Sequence, residues 1–207
     1  MKISQLAREE RADLADFLDT LTPGQWSEPT LCVGWRVQDV VAHMISYDEL
    51  SPIGTLHRLA RGRLRLDRAN EVGIAEYVGR GPDELLSLLR RHLVPSGLPA
   101  AFGGRPALLD ALLHHQDIRL PLGAPREIPS DRLRAALSFA VFAPPVGGVS
   151  RARGLRLVAT DLDWSRGRGQ LVTGPADALL MAVAGRPGAT DRLAGPGRTV
   201  LAERISR

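Results

Sequence analysis

The side chains best suited to chemistry in this 207-residue chain are imidazoles and carboxylates at helical spacing. Asp110, His114 and Asp117 follow one another at intervals of four and three residues, which on a helix of 3.6 residues per turn projects all three from one stripe. Leu108, Leu109, Leu112 and Leu113 flank that stripe. The polar groups therefore point toward a bundle interior or its mouth, where buried carboxylates and imidazoles need partners. Helix bundles meet this need by holding a divalent metal between a carboxylate and a histidine on one helix and a histidine from a facing helix. His43, between Val41 and Met44, is the candidate third ligand. The same residues also read as ordinary half-buried histidines hydrogen-bonded to aspartates, because one carboxylate-to-histidine spacing has many chance matches. His115 falls about 100° round the helix from His114 and is expected to cap a loop or face solvent. His57 and His92 sit among arginines and read as surface. Cys32 is the single cysteine, which excludes an intrachain disulfide and a thiolate metal cluster within one copy. Among Leu31, Val33 and Trp35 it reads as a packing residue. Asp161, Asp163 and Asp177 lack the spacing of a calcium loop and read as turn formers.

The elements that must position these groups are mostly helical. Leu6, Leu14, Phe17, Leu18 and Leu21 recur at helical spacing from Ser4 until Thr22-Pro23-Gly24 stops the run. After a loop carrying Trp26 and Trp35, Val37, Val40, Val41, Met44 and Ile45 mark a second helix around His43. Residues 48–80 are Arg-rich with weaker periodicity, and a third helix runs from Asp83 to Leu93 with Pro82 at its first turn. Residues 94–104 hold Gly and Pro and read as a loop, followed by a fourth helix from Pro106 to Leu120 and another from Asp131 to Phe142. Ala143-Pro144-Pro145-Val146-Gly147-Gly148 is the best linker, which places a domain boundary at 148: a helix bundle over 1–148 and a small α+β domain over 149–207. In the latter, 155–159 and 170–173 alternate like strands, 161–169 reads as a turn, 175–184 as a short helix, and 199–205 as strand or helix.

Composition narrows the function classes. At 44% hydrophobic and 24% charged residues the chain is an ordinary globular one. No run reaches the ~18 apolar residues of a membrane span, and the first ten residues lack the apolar core of a signal peptide. A cytoplasmic location is expected. The net charge of +4 comes from Lys2 and otherwise arginines, spread along the chain with a modest cluster at Arg58, Arg61, Arg63, Arg65 and Arg68. With aromatics at 4%, a base-stacking nucleic-acid surface is disfavoured.

The segment Thr30-Leu31-Cys32-Val33-Gly34-Trp35-Arg36-Val37-Gln38-Asp39-Val40-Val41-Ala42-His43 resembles the threonine-x-cysteine-x-glycine-tryptophan and aspartate-valine-valine-alanine-histidine signature of the mycothiol-dependent maleylpyruvate isomerase family. Asp110-Ala111-Leu112-Leu113-His114-His115-Gln116-Asp117 is similar to that family's glutamate-x-x-x-histidine-x-x-aspartate helix. Thr160 to Trp164, Gly174 to Asp177 and Ala184 to Pro187 are similar to its small C-terminal domain. The resemblance implies a DinB-like up-down-down-up four-helix bundle followed by a sterol-carrier-like α+β domain. It also implies a metal site of His43, Asp110 and His114, with zinc the expected ion. Asp110 departs from the family's usual glutamate by one methylene, so it must move inward by about 1.5 Å or bind through water.

What the resemblance implies for activity is a metal-dependent S-transferase or isomerase with mycothiol as cosubstrate, a metal-bound thiolate attacking a small electrophile. The implied partners are that electrophile and a low-molecular-weight thiol, with no nucleic acid or membrane, and a homodimer as the oligomer to look for. Arg119, at the end of the ligand helix, is the candidate clamp for a substrate carboxylate. Two alternatives stand: a non-catalytic binding or regulatory protein on the same bundle, which the shorter Asp110 favours, and a DNA-binding regulator, which rests only on the basic balance.

Overall fold

A computed structural model describes residues 1–206. The chain divides into two compact units, Met1–Pro125 and the segment from Arg126 onward. The first is all-helical: α1 (Ile3–Asp19), α2 (Val37–Asp48), α3 (Pro52–Arg61), α4 (Leu66–Ala75), α5 (Pro82–Arg91) and α6 (Ala101–Arg119). The four helices expected from periodicity form the bundle. In it α1 packs on α5 and α6, and α2 packs on the same two helices. Their inward faces supply a core that includes Leu14, Leu18, Val40, Val41, Met44, Ile45, Leu85, Leu89 and Ile118, each fully buried side chain contributing ~1.5–3 kcal/mol.

Two helices, α3 and α4, occupy the region whose periodicity is weak. α3 begins where Ser51 Oγ accepts from Gly54 N at 3.0 Å with Pro52 in the first turn, a local cap that needs little buried surface. Ile53 and Leu56 of α3 remain largely exposed, so its apolar residues do not mark a core face. Residues 94–104, read as a loop, contain a 3-10 turn at Leu98–Ala100 and a left-handed step at Phe102, Gly103 and Gly104 inside the span of α6. At Gly104, with φ +88°, a Cβ would lie 3.0 Å from Ser4 Cα, so the missing side chain lets α6 approach the start of α1.

The second unit contains α7 (Ser130–Ala140), α8 (Gly148–Ala152), β1 (Leu155–Ala159), β2 (Ser165–Gly167), β3 (Gln170–Gly174), α9 (Ala176–Val183) and α10 (Arg198–Ile205). The sheet order is β2-β1-β3, with β1 antiparallel to β2 and parallel to β3. The strand β2 falls in the stretch read as a turn: all three of its residues are exposed, so no alternation marks it. The segment 143–148, read as the linker, lies inside this unit. Pro144–Val146 form a 3-10 turn and Gly148 packs so close to Ala140 O that a Cβ has no room. α7 belongs here because it packs on α9, and Ser138 Oγ accepts from Trp164 Nε1 at 2.9 Å. The fold is thus a helical bundle followed by a small α+β region, as the resemblance implies. Among the described residues no helix is long and apolar enough to cross a membrane.

Candidate metal centre

Two helices and one tight loop build the site. α2 starts with Asp39 accepting from Arg36 N at 2.9 Å and Arg36 Nε at 3.0 Å, which caps the first turn and sets the rotation of the helix. His43, in the next turn, is buried and aims Nε2 at α6, 3.5 Å from Asp110 Oδ1. His114, one turn along α6 from Asp110, brings its own Nε2 to 3.3 Å from the same oxygen. The two imidazole rings meet edge-on with centroids 5.0 Å apart. One nitrogen from each histidine and a carboxylate oxygen of Asp110 all lie within 4.8 Å of one another. Three ligands at ~2.0–2.1 Å from a tetrahedral ion stand about 3.3 Å apart along each edge. The observed 3.3 and 3.5 Å separations match that edge. The Asp110 oxygen thus stands within reach of both histidine nitrogens, and a donor set of two imidazoles and one carboxylate could hold a zinc-type ion.

The loop before α2 completes the surroundings. Thr30 Oγ1 accepts from Cys32 N at 3.1 Å and donates to Trp35 O at 3.0 Å, Trp35 N donates to Cys32 O at 2.9 Å, and Gly34 turns the chain at φ +81°. A non-glycine residue at that φ would be strained. Leu31 N donates to Asp117 O at 3.1 Å, tying this turn to α6. The result sets the Trp35 indole 5.0 Å from the His43 ring and 6.3 Å from that of His114. It also carries Cys32 Sγ to 3.1 Å from Asp117 Oδ2 and 3.7 Å from His114 Nδ1. Cys32, read from sequence as packing, does pack against the core but also makes these polar contacts. Asp117 is fully buried, and His114 Nδ1 lies 3.0 Å from its Oδ2.

Electrostatics divides the two histidines. Burial lowers the His43 pKa and outweighs the attraction of Asp110, which keeps that ring neutral. Burial acts the same way on His114, but the charge of Asp110, with hydrogen bonds to Asp110 and Asp117, holds this imidazole well above its ordinary value. For Asp110 burial pushes upward, and the His114 charge and hydrogen bonds to both histidines override it, leaving the carboxyl well below the usual range. Its side chain is 33% exposed against 9% and 8% for the two histidines, so the cluster opens to solvent on the Asp110 side.

The wall beside His43 comes from residues that periodicity could not place. Tyr47 sits one turn along α2, its ring edge-on to His43 at 5.6 Å, and its hydroxyl donates to Asn70 Oδ1 of α4 at 2.7 Å. Arg58 of α3 lies over the Tyr47 ring at 5.3 Å and donates to Ser46 O at 2.9 Å and Glu76 Oε2 at 2.5 Å. The His43-to-Tyr47 spacing was a legible signal. Asn70 and Arg58 carry none: Arg58 belongs by sequence to a modest arginine cluster and is buried in the fold.

Two sequence expectations end elsewhere. His115, expected to cap a loop or face solvent, is fully buried: its Nδ1 meets Glu10 Oε1 of α1 at 2.9 Å while Nε2 accepts from Arg119 Nε at 2.8 Å. The helix turns that ring toward α1, where Glu10 gives it a partner. Arg119, the candidate carboxylate clamp, donates to His115 and to Ala124 O at 3.0 Å and stacks over Phe17 at 3.8 Å. Those contacts occupy its guanidinium on the α1 side of the helix. His57 is exposed as expected, and His92 is half-buried, with Nε2 3.4 Å from Glu49 Oε1.

Residues 7–96 match the family model of the mycothiol maleylpyruvate isomerase N-terminal domain, a span that contains Cys32, Trp35 and His43 and ends before Asp110. Two crystal structures share the fold: mycothiol-dependent maleylpyruvate isomerase and a histidine-to-alanine mutant of it. Each is 14% identical, with 94% of this chain and 91% of the other covered and a TM-score of 0.55. No curated protein sequence matches at a significant level. Residues 7–96 are thus similar to the mycothiol maleylpyruvate isomerase N-terminal domain, and the chain as a whole shares the fold of the crystal structures of mycothiol-dependent maleylpyruvate isomerase.

Proposed function

We propose that this protein is a metal-dependent enzyme that adds the sulfur of mycothiol to an electrophilic carbon of a small molecule. The product is a stable conjugate in transfer, or a reversible adduct whose loss permits cis–trans isomerisation of a maleyl-type acid. The observation that supports this most is the convergence of His43, Asp110 and His114 donor atoms within 4.8 Å at a site open on one side, in a chain similar over residues 7–96 to that family's N-terminal domain. A divalent ion held by three protein ligands keeps a position open and lowers the pKa of a thiol that enters it. His43 is suited to its task by being neutral, so that binding an ion through Nε2 needs no loss of charge from the ring. Asp110 supplies the negative charge, and its exposed side marks the entry path. The Trp35 indole lies against both rings, 5.0 Å from that of His43 and 6.3 Å from that of His114. The non-catalytic reading drew on Asp110 being too short, and its oxygen reaches both histidines.

The test is elemental analysis of protein purified without added metal, with thiol consumption measured against activated aromatics, epoxides and maleyl-type acids. About one ion per chain is expected, with rates that fall together in His43→Ala and in metal-stripped protein. Equal rates across the whole panel for wild type, variant and stripped protein would overturn the enzyme reading. Retention of the ion without turnover would restore the binding-protein alternative.

A further inference from the structure

The buried residues behind His114 have no part in that proposal, yet they form a continuous chain to the solvent-facing loop. Asp117 Oδ2 lies 3.0 Å from His114 Nδ1 and 3.1 Å from Cys32 Sγ, so one carboxylate oxygen receives both groups. The carboxylate is fully buried and its residue's backbone oxygen is held by Leu31 N. It is therefore fixed at both ends, in a place where an ionised group demands donors. With the Nδ1 proton kept against Asp117, the proton that leaves when an ion binds is the one on Nε2, the nitrogen that faces Asp110. A carboxylate behind a metal-binding histidine fixes both the ring's tautomer and its orientation. Cys32 adds a weak S–H donor to that carboxylate, delivered by the Thr30–Trp35 turn.

We propose that Asp117 and Cys32 are positioning residues for the centre. Asp117 holds the Nδ1 proton of His114, and Cys32, by sharing the same oxygen, fixes the carboxylate's rotamer so that Nε2 stays aimed at Asp110. The Thr30-x-Cys32-x-Gly34-Trp35 segment then has a physical purpose: Thr30 and Gly34 shape the turn, Trp35 lies against the rings, and Cys32 steadies the group behind the second histidine. This rests on His43, Asp110 and His114 being the metal ligands.

The experiment compares Asp117→Asn, Cys32→Ala and Cys32→Ser in the full chain. Zinc affinity is read by chelator competition, and the hydrogen bond of the His114 Nδ1–H in the zinc-loaded protein by nitrogen-15 NMR of the imidazole. Asp117→Asn keeps the shape, and the expected loss of affinity is about 10–100-fold, together with loss of the strongly hydrogen-bonded Nδ1–H signal of His114. Cys32→Ala should lose a smaller factor in the same direction, and Cys32→Ser, which keeps a donor, should recover it. Wild-type affinity and a wild-type Nδ1–H signal in Asp117→Asn would overturn the proposal. So would equal affinity in Cys32→Ala and Cys32→Ser. If Asp117→Asn does not fold, the Cys32 pair decides. Failure of the underlying site reads differently: His43→Ala and Asp110→Asn would then retain zinc, whereas failure of the positioning role leaves those two variants metal-free.

Discussion

At the scale of single residues the centre is a balance between burial and charge. His114 sits between two carboxylates, Asp110 at 3.3 Å and Asp117 at 3.0 Å, and is held protonated in the metal-free protein. Metal binding must displace that proton, so zinc binding near pH 7 should release close to one proton per site, and affinity should fall as pH falls. Calorimetry in buffers of different ionisation enthalpy measures this. The stability of the metal-free protein carries the opposite sign for this histidine. Because the folded pKa of His114 is raised, its contribution is fully present below the unfolded value of ~6.5 and is lost as pH rises through the folded one. Asp110, with a depressed folded pKa, contributes above ~3.9 and loses that contribution as pH falls. The deficit of Asp110→Asn in thermal melts without metal should therefore be largest near pH 5–6, inside both windows, and shrink in alkali. The reach of Asp110 makes a further claim. Asp110→Glu should bind zinc no more than about tenfold more tightly, because the shorter carboxylate already spans the edge of the site, whereas Asp110→Asn should lose retention, as checked by elemental analysis.

At the scale of elements, polar pairs inside the bundle hold the two ligand helices in place. Arg11 of α1 lies 2.9 Å from Asp48 at the end of α2, both side chains essentially sealed from solvent, and the same guanidinium donates to His92 O at 2.6 Å. Asp48 also accepts from Ser96 N at 2.8 Å, so one ion pair ties α1, α2 and the segment after α5. Burial raises the Asp48 carboxyl despite Arg11, which marks the pair as one of expensive, mutually dependent charges. Arg11→Met should destabilise the fold by about 3–5 kcal/mol in urea titration because it strands a buried carboxylate, while Arg11→Met with Asp48→Leu should cost much less. A single-variant loss below ~1 kcal/mol would show that water already reaches the pair. Periodicity exposes α1, α2, α5 and the bulk of α6 because each buries one apolar stripe. It misses α3 and α4, whose buried residues are Arg58, Ala69 and Gly73 and whose leucines are partly exposed.

At the scale of the molecule, two units meet in sequence between Pro125 and Arg126, and every proposed ligand belongs to the first. Limited proteolysis should cut first in the connection between Arg119 and Ser130, ahead of 143–148, because exposed connections with few packed contacts open at lowest cost. The fragment 1–125 should stay helical and keep about one zinc ion. A well-folded fragment that has lost its metal would mean that the second unit supplies a ligand.

Local spacing is enough to reveal the helical stripe of Asp110, His114 and Asp117, the second helix around His43, and the two strands whose alternation survives in β1 and β3. Each is a local property, written in intervals of two, three or four residues. Packing between helices brings Asp110 to both imidazoles, turns His115 inward to Glu10, and joins Cys32 to Asp117 across 85 positions of chain. Those contacts depend on how α1, α2 and α6 pack and on where one hydrogen-bonded turn delivers its thiol. No interval within a single helix encodes that, because the partner of a buried polar group is chosen by whichever element lies opposite it.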